Sequence, residues 1–133
     1  MSHLVQPAGW PRPKGYANGV VAEGRLVSIA GQIGWDATGR LCSDEFAQQA
    51  RQALANVVAV LEAAGARPEH LVRLTWYVVD KHEYRAAQAE VGRMYREVIG
   101  AHYPAMTLVQ VADLLEDGAR VEIEGTAVIP PQA

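Results

Sequence analysis

The residue of this sequence best suited to chemistry is a carboxylate, Glu122, in the segment RVEIE at positions 120–124. Successive side chains of a strand point to opposite faces, so the three charged residues of this segment share one face and the two apolar residues share the other. A carboxylate half buried in a cleft can position a water molecule or transfer a proton. Alternatively, the charged face is solvated or pairs with Arg73 or Arg25, and such surface pairs contribute little to stability. Spacing alone leaves both interpretations open.

Other kinds of catalytic site find no support in the sequence. The four histidines are His3, His70, His82 and His102. None of them has the i, i+4 spacing that places two imidazoles on one metal ion. Cys42 is the only cysteine, which excludes an intrachain disulfide and a cysteine-cluster metal site. Neither a nucleophile elbow nor a glycine-rich phosphate loop occurs, so the sequence predicts no metal and no cofactor.

Charge and composition limit the partners. The chain carries a net charge of −3 and only two lysines, so it lacks the basic footprint of a nucleic-acid-binding protein, and we expect no nucleic-acid partner. No run approaches the roughly 18 apolar residues of a membrane span, and no signal-peptide core is present, which predicts a cytoplasmic protein without a membrane partner. With 133 residues, half of them hydrophobic, we expect one domain over residues 1–133.

Periodicity indicates the elements that must position Glu122. Three prolines favour an extended arm over residues 1–15, and the segments 19–22 and 26–30 flank a Glu23-Gly24 turn and predict a hairpin. Ser43 is a candidate N-cap for a helix that reaches about Ala64, with Gly65 as its C-cap.

The remaining half of the chain alternates strands and a helix. Residues 72–79, 105–111 and 119–129 predict strands, and residues 83–99 predict a second helix with one apolar stripe. This order is satisfied by an α+β fold, in which a mixed sheet carries both helices on one face.

Several segments, in this order, resemble the Rid (YjgF) family. They are GYANGV at 15–20, AGQIGWDATG at 30–39, QARQALANVVAVLEAAGA at 49–66, PAMTLVQV at 104–111 and VEIEGTAV at 121–128. The resemblance implies a chorismate mutase-like fold, with a mixed six-stranded β-sheet and two α-helices packed on one face. It also implies a homotrimer with a small-molecule ligand in each of three clefts at the subunit interfaces. The activity it implies is hydrolysis of reactive enamines and imines, such as 2-aminoacrylate, to a keto acid and ammonia.

The resemblance assigns roles to individual positions. Tyr16 matches the tyrosine of the family's GPY segment, Gly31 a glycine whose backbone contacts the ligand, and Glu122 the acid that holds the hydrolytic water. One position differs from the family pattern. The family's PARS segment supplies an arginine that binds the substrate carboxylate, whereas the matching segment here is PAMT, with Met106 at that position. A charged bidentate hydrogen bond contributes roughly 1.5–3 kcal/mol, and methionine cannot replace it.

Met106 offers a polarisable apolar surface that suits a neutral, bulkier or aromatic ligand. Trp35, Trp76 or Tyr77 would extend that surface, unless these aromatic residues only pack in the core and at interfaces. Thr107 is expected to donate one hydrogen bond to the ligand.

Another cation could take the place of the missing arginine. Arg120 or Arg73 could reach the cleft as a displaced anion partner, although a salt bridge between Arg120 and a neighbouring glutamate competes with that role.

Two functions from different classes follow. The first is a hydrolase or deaminase of small imine or enamine metabolites with altered substrate recognition, which requires Glu122 in a cleft. The second is a noncatalytic small-metabolite-binding or regulatory trimer. A ribonuclease, an activity also attached to the family, is disfavoured by the acidic charge balance.

Overall fold

The computed structural model describes residues 2–132, so both end positions of the predicted 1–133 domain lie outside the described residues. The elements, in chain order, are β1 (Ser2–Val5), β2 (Gly19–Ala22), β3 (Arg25–Gln32), α1 (Phe46–Ala63), β4 (Leu71–Val78), α2 (Lys81–Ala86), α3 (Gln88–Val98), β5 (Ala105–Gln110) and β6 (Val121–Ile129). No helix among residues 2–132 is both long and apolar enough to cross a membrane.

The predicted α+β fold with a mixed sheet is confirmed. Four strands form the main sheet in the order β3-β6-β4-β5, where β6 is antiparallel to both its neighbours and β5 is parallel to β4. The other two strands, β1 and β2, form a separate antiparallel pair. A single bridge between Ala17 and Ala105 connects the segment before β2 to β5 of the main sheet.

The N-terminal prediction was wrong in its pairing. Residues 19–22 were expected to form a hairpin with residues 26–30, but β2 pairs instead with Ser2–Val5, which lies in the arm expected to be merely extended. The prolines of the arm all follow β1, so they withhold no donor from its ladder. A strand's own pattern indicates its faces but does not identify its partner.

Helix α1 begins and ends close to the predicted positions. The hydroxyl of Ser43 accepts a hydrogen bond from the backbone of Glu45 at 2.9 Å, so Ser43 shapes the turn before the helix and does not cap it. Gly65 adopts a φ of 79° and donates to the carbonyl of Glu62, which ends the helix as predicted. The second predicted helix is divided into α2 and α3 at Ala87.

The helices cover one face of the main sheet. In β6 the buried residues alternate with half-buried and exposed ones, so that Val121, Ile123 and Ala127 lie in the core beneath α1. The other face of the sheet, which we call the open face, has no helix on it, and Glu122 and Glu124 project from it.

One buried polar side chain connects the segment just before β6 to the start of α1. Gln49 is fully buried, and its amide nitrogen donates to the carbonyls of Ser43 at 2.9 Å and Gly118 at 3.0 Å. Its amide oxygen accepts from the backbone of Arg120 at 2.8 Å. These three bonds satisfy two backbone carbonyls and one backbone N–H group that lie outside the strands, and they hold the segment before β6 against α1.

Gln49→Leu is therefore expected to lower the free energy of unfolding by about 2–4 kcal/mol, because an apolar side chain of similar volume leaves these backbone groups unpaired. Urea denaturation monitored by circular dichroism measures the loss. Gln48→Leu, at the exposed neighbouring position, is the matched control and should change stability by less than about 0.5 kcal/mol. Equal effects of the two substitutions would contradict this role of Gln49.

Candidate functional site

Glu122 is placed on the open face directly above Gly31. The ladder between β3 and β6 contains a bulge, because Ile29 pairs with Gly125 and Gln32 with Ile123, which leaves one extra residue on β3. A side chain at position 31 would overlap the Glu122 carboxyl group, whose Cδ lies 2.7 Å from the position that a Cβ would take. A side chain at position 31 would therefore displace the Glu122 carboxyl group from its place above β3.

The surroundings of Glu122 on the open face are polar. Tyr77 lies opposite Glu122 on β4, and its hydroxyl donates to Glu124 at 2.7 Å. This hydrogen bond raises the pKa of Tyr77 above its ordinary value. Glu122 is half buried and forms no ion pair within residues 2–132, so its carboxylate is available to a water molecule or a ligand.

Tyr16 and Met106 meet on the opposite side of the sheet, at a cavity of about 550 Å³ between β5 and α3. Ala17 donates a backbone hydrogen bond to Pro104 at 3.0 Å and bridges to Ala105, which places Tyr16 beside the start of β5. The residues that line this cavity are Lys14, Gly15, Tyr16, Trp76, Tyr84, Gln88, Val91, Gly92, Tyr95, Arg96, Tyr103, Met106 and Leu108.

The predicted site residues thus fall into two groups. Met106 packs against the core on the helix-covered face, whereas its neighbour Thr107 is exposed and lies opposite Thr75 on β4. Within one chain, Thr107 therefore does not share the cavity of Met106. Gly31 and Glu122 lie together on the open face, and Tyr16 and Met106 lie together at the cavity; we call these two pairs the candidate half-sites.

The two arginines considered as replacement cations lie outside the cavity. Arg120 forms an ion pair with Glu83 on α2, and its Nε donates to the carbonyl of Asp44 at 2.6 Å. Arg120 is thus engaged in an ion pair, but with Glu83 of α2 and not with a glutamate beside it on β6, and its side chain does not lie on the face of Glu122 as the strand pattern suggested. Arg73 is exposed on β4, opposite Thr126, and belongs to the open face.

The aromatic candidates separate in the same way. Trp76 is 2% exposed and lines the cavity, while Tyr77 projects from the open face. Trp35 lies in the loop after β3, is 39% exposed and does not reach the cavity. Of the three aromatic candidates only Trp76 lines the cavity, and the other aromatic residues of its wall are Tyr16, Tyr84, Tyr95 and Tyr103.

Sequence reasoning missed most of the cavity wall. Tyr84, Tyr95 and Arg96 lie in the segment 83–99, for which the sequence predicts only a helix with one apolar stripe, and none of them is among the predicted site residues. Their helical spacing places the tyrosines toward the sheet, which was the one available signal. Among residues 2–132 no cluster of three metal-binding side chains occurs.

Comparison with known proteins agrees with this architecture. Residues 11–129 match the family described as Endoribonuclease L-PSP. The human 2-iminobutanoate/2-iminopropanoate deaminase is 34% identical over 117 residues, covering 87% of this chain and 81% of that protein. A RutC family protein from Pyrococcus horikoshii is 32% identical and covers 96% of this chain and 98% of its own length.

Solved structures give the same result. A protein of unknown function of the conserved Rid protein family from Yersinia pestis, YyfB, has a TM-score of 0.85 at 32% identity, covering 96% of this chain and 98% of that chain. The YjgF gene product of E. coli has a TM-score of 0.70 at 36% identity, covering 85% and 87% of the two chains.

The contact between Gly31 and Glu122 can be tested by a double-mutant cycle. Gly31→Ala is expected to destabilise the protein by about 1–3 kcal/mol, because the added methyl group overlaps the carboxyl group. In a Glu122→Ala background the same substitution should cost at least about 1 kcal/mol less, as measured by chemical denaturation.

Gly92→Ala is the matched control for the cycle. Its Cβ would meet only Arg96 at 3.8 Å, and alanine favours a helix interior, so it should stabilise the chain in both backgrounds. An equal cost of Gly31→Ala with and without Glu122 would rule out the overlap as its cause.

Proposed function

This chain belongs to the YjgF/Rid family, and we propose that it hydrolyses the C=N bond of small imines, or of the enamines that tautomerise to them. The observation that carries this proposal is the carboxylate of Glu122, half buried above Gly31 and without an ion-pair partner among the described residues. Relatives named 2-iminobutanoate/2-iminopropanoate deaminase, from human and cattle, are 34% and 33% identical to this chain.

In the proposed reaction Glu122 holds a water molecule and relays its protons. As the water oxygen adds to the imine carbon, the carboxylate accepts one proton from the water and passes it to the nitrogen. The same carboxylate then takes the hydroxyl proton of the carbinolamine and gives it to the amino nitrogen, so that the C–N bond breaks, the C=O bond forms, and ammonia leaves. Both protons of the water thus end in ammonia, and its oxygen ends in the carbonyl product.

Substrate recognition in this proposal differs from that of an arginine-dependent imine hydrolase. The backbone of Gly31 contacts the ligand near the reacting carbon, and Tyr16 and Met106 contact its remainder. Because Met106 is apolar, the part of the ligand beside it is also apolar. Thr107, on the open face, would donate its hydrogen bond beside Glu122 and not beside Met106.

We further propose that the working unit is a homotrimer with its ligand sites between subunits. The half-site of Gly31 and Glu122 and the half-site of Tyr16 and Met106 lie on opposite sides of one sheet, so a small ligand touches both only if two copies meet. A closed ring of three copies repeats this head-to-tail contact three times.

A noncatalytic, ligand-binding trimer is the second candidate. The observation in its favour is Met106, because methionine cannot bind a substrate carboxylate through charged hydrogen bonds as an arginine would. The two candidates differ in what removal of the carboxylate does to turnover.

Glu122→Gln is expected to reduce keto-acid formation from enzymatically generated imines by about 10²–10⁴-fold, because the amide cannot accept the proton of water. Release of keto acid and ammonia measures turnover. Glu124→Gln, two residues along the same face and exposed, is the matched control and should retain wild-type turnover. Full activity of Glu122→Gln would contradict the proposed reaction, and wild-type binding without turnover would favour the noncatalytic candidate.

The shared site predicts complementation between two inactive variants. Glu122→Gln disables one half-site, and Met106→Glu places a repelling charge in the other. When the two chains are co-expressed in equal amounts, one interface in each mixed trimer combines two intact halves, which is about a quarter of all interfaces in the population, so activity should return to that extent. Sedimentation should show three copies of the 14.4 kDa chain. A stable monomer, or the absence of any recovery, would contradict the interfacial site.

A further inference from the structure

The cavity beside α3 carries positive charge that the proposed reaction does not use. Two of its lining residues are cations, Lys14 and Arg96, and none of the thirteen is acidic. The other lining residues are aromatic, apolar, glycine or amide side chains. A cavity of this kind, with apolar walls and uncompensated cations, is complementary to an organic anion.

Arg96 lies in the last turn of α3, at the wall of the cavity. It follows Gly92 by one helical turn, and its Nη1 lies 3.8 Å from where a Cβ of residue 92 would be, which is ordinary van der Waals distance. A cation in the last turn of a helix is also favoured by the helix dipole.

No acid of the described chain neutralises Arg96. Its neighbour Glu97 is paired with Arg51 at 2.6 Å, and this ion pair holds the pKa of Glu97 below its ordinary value. Arg96 itself forms no ion pair within residues 2–132. The guanidinium group is therefore open to a ligand.

The aromatic wall supplies the complementary apolar surface. Tyr84 packs edge-on against Trp76 with ring centroids 6.3 Å apart, and Tyr95 stacks on Tyr103 at 5.2 Å. The hydroxyl of Tyr95 donates to the carbonyl of His102 at 2.7 Å, and burial raises its pKa, so this tyrosine remains neutral and does not compete for Arg96. Met106 completes the wall.

We propose that Arg96, with Lys14 at the same cavity, is the anion-binding residue of this chain, and that its ligands are carboxylates with an aryl or branched alkyl body. The carboxylate would accept two parallel hydrogen bonds from the guanidinium group, while the apolar body lies on Met106 and the aromatic wall. The cation thus comes from α3, and not from the position of Met106 or from Arg120 or Arg73. This inference rests on the proposed function for its substrate class, an imine or enamine carrying such a carboxylate.

Binding of two probes of equal shape tests the inference without requiring turnover. The probes are 3-phenylpropanoate and its neutral amide, 3-phenylpropanamide, titrated into the assembled wild-type protein by calorimetry. The carboxylate is expected to bind at least about tenfold more tightly than the amide, since a charged hydrogen bond is made by one probe only.

Arg96→Gln should remove this preference by weakening the carboxylate at least about tenfold while changing the amide less than about threefold. Arg93→Gln is the matched control, because this arginine lies on the same helix but outside the cavity, and it should change neither affinity. Thermal unfolding of each variant verifies that it is folded. Equal binding of the two probes by the wild type, or an unchanged preference in Arg96→Gln, would overturn the proposal.

The Glu122→Gln variant separates this inference from the proposed function. If that variant loses turnover while Arg96→Gln keeps the carboxylate preference, the anion site is refuted and the hydrolase remains. If no imine is turned over but the carboxylate preference depends on Arg96, the anion site is supported and the protein is a binding protein. Turnover of an aryl imino acid that falls in both variants supports both.

Discussion

Strand β6 is hydrogen-bonded on both edges, to β3 and to β4, and its pleat therefore cannot shift without breaking two ladders. Its alternate residues fill the core under α1, which fixes the opposite set on the open face. Glu122 belongs to that second set because Val121 and Ile123, on either side of it, are fully buried. The position of the candidate catalytic acid thus follows from the packing of its two apolar neighbours.

The same alternation separates the candidate site into two halves. On β5, Met106 faces the helices and Thr107 faces away from them, so the cavity and the acid occupy different sides of the sheet. The bulge in β3 brings Gly31 beneath the carboxyl group of Glu122, and the bridge from Ala17 to Ala105 brings Tyr16 to the cavity. Neither half contains both a proton acceptor and an apolar cavity. The proposed site therefore needs one half from each of two copies.

The apolar side chain at position 106 fits the surroundings that the structure gives it. The apolar side chain of Met106 extends an aromatic wall, and the charge of the cavity is supplied at its lining by Arg96 and Lys14. The cations at the cavity thus lie on other segments of the chain than Met106. Arg120, in contrast, serves the structure, because it ties the start of β6 to α2 and to the turn before α1.

Local features of this protein follow from its amino-acid sequence: the alternation around Glu122, the glycine that ends α1, and the motifs that point to Tyr16, Gly31 and Met106. They are periodicities and spacings within a few residues, which do not depend on the rest of the fold. The three-dimensional arrangement was needed to show that β2 pairs with β1, that Arg120 pairs with Glu83, and that Arg96 lines the cavity. Each of these depends on contacts between segments distant in sequence, and a local pattern states which face a residue occupies but not what lies opposite that face.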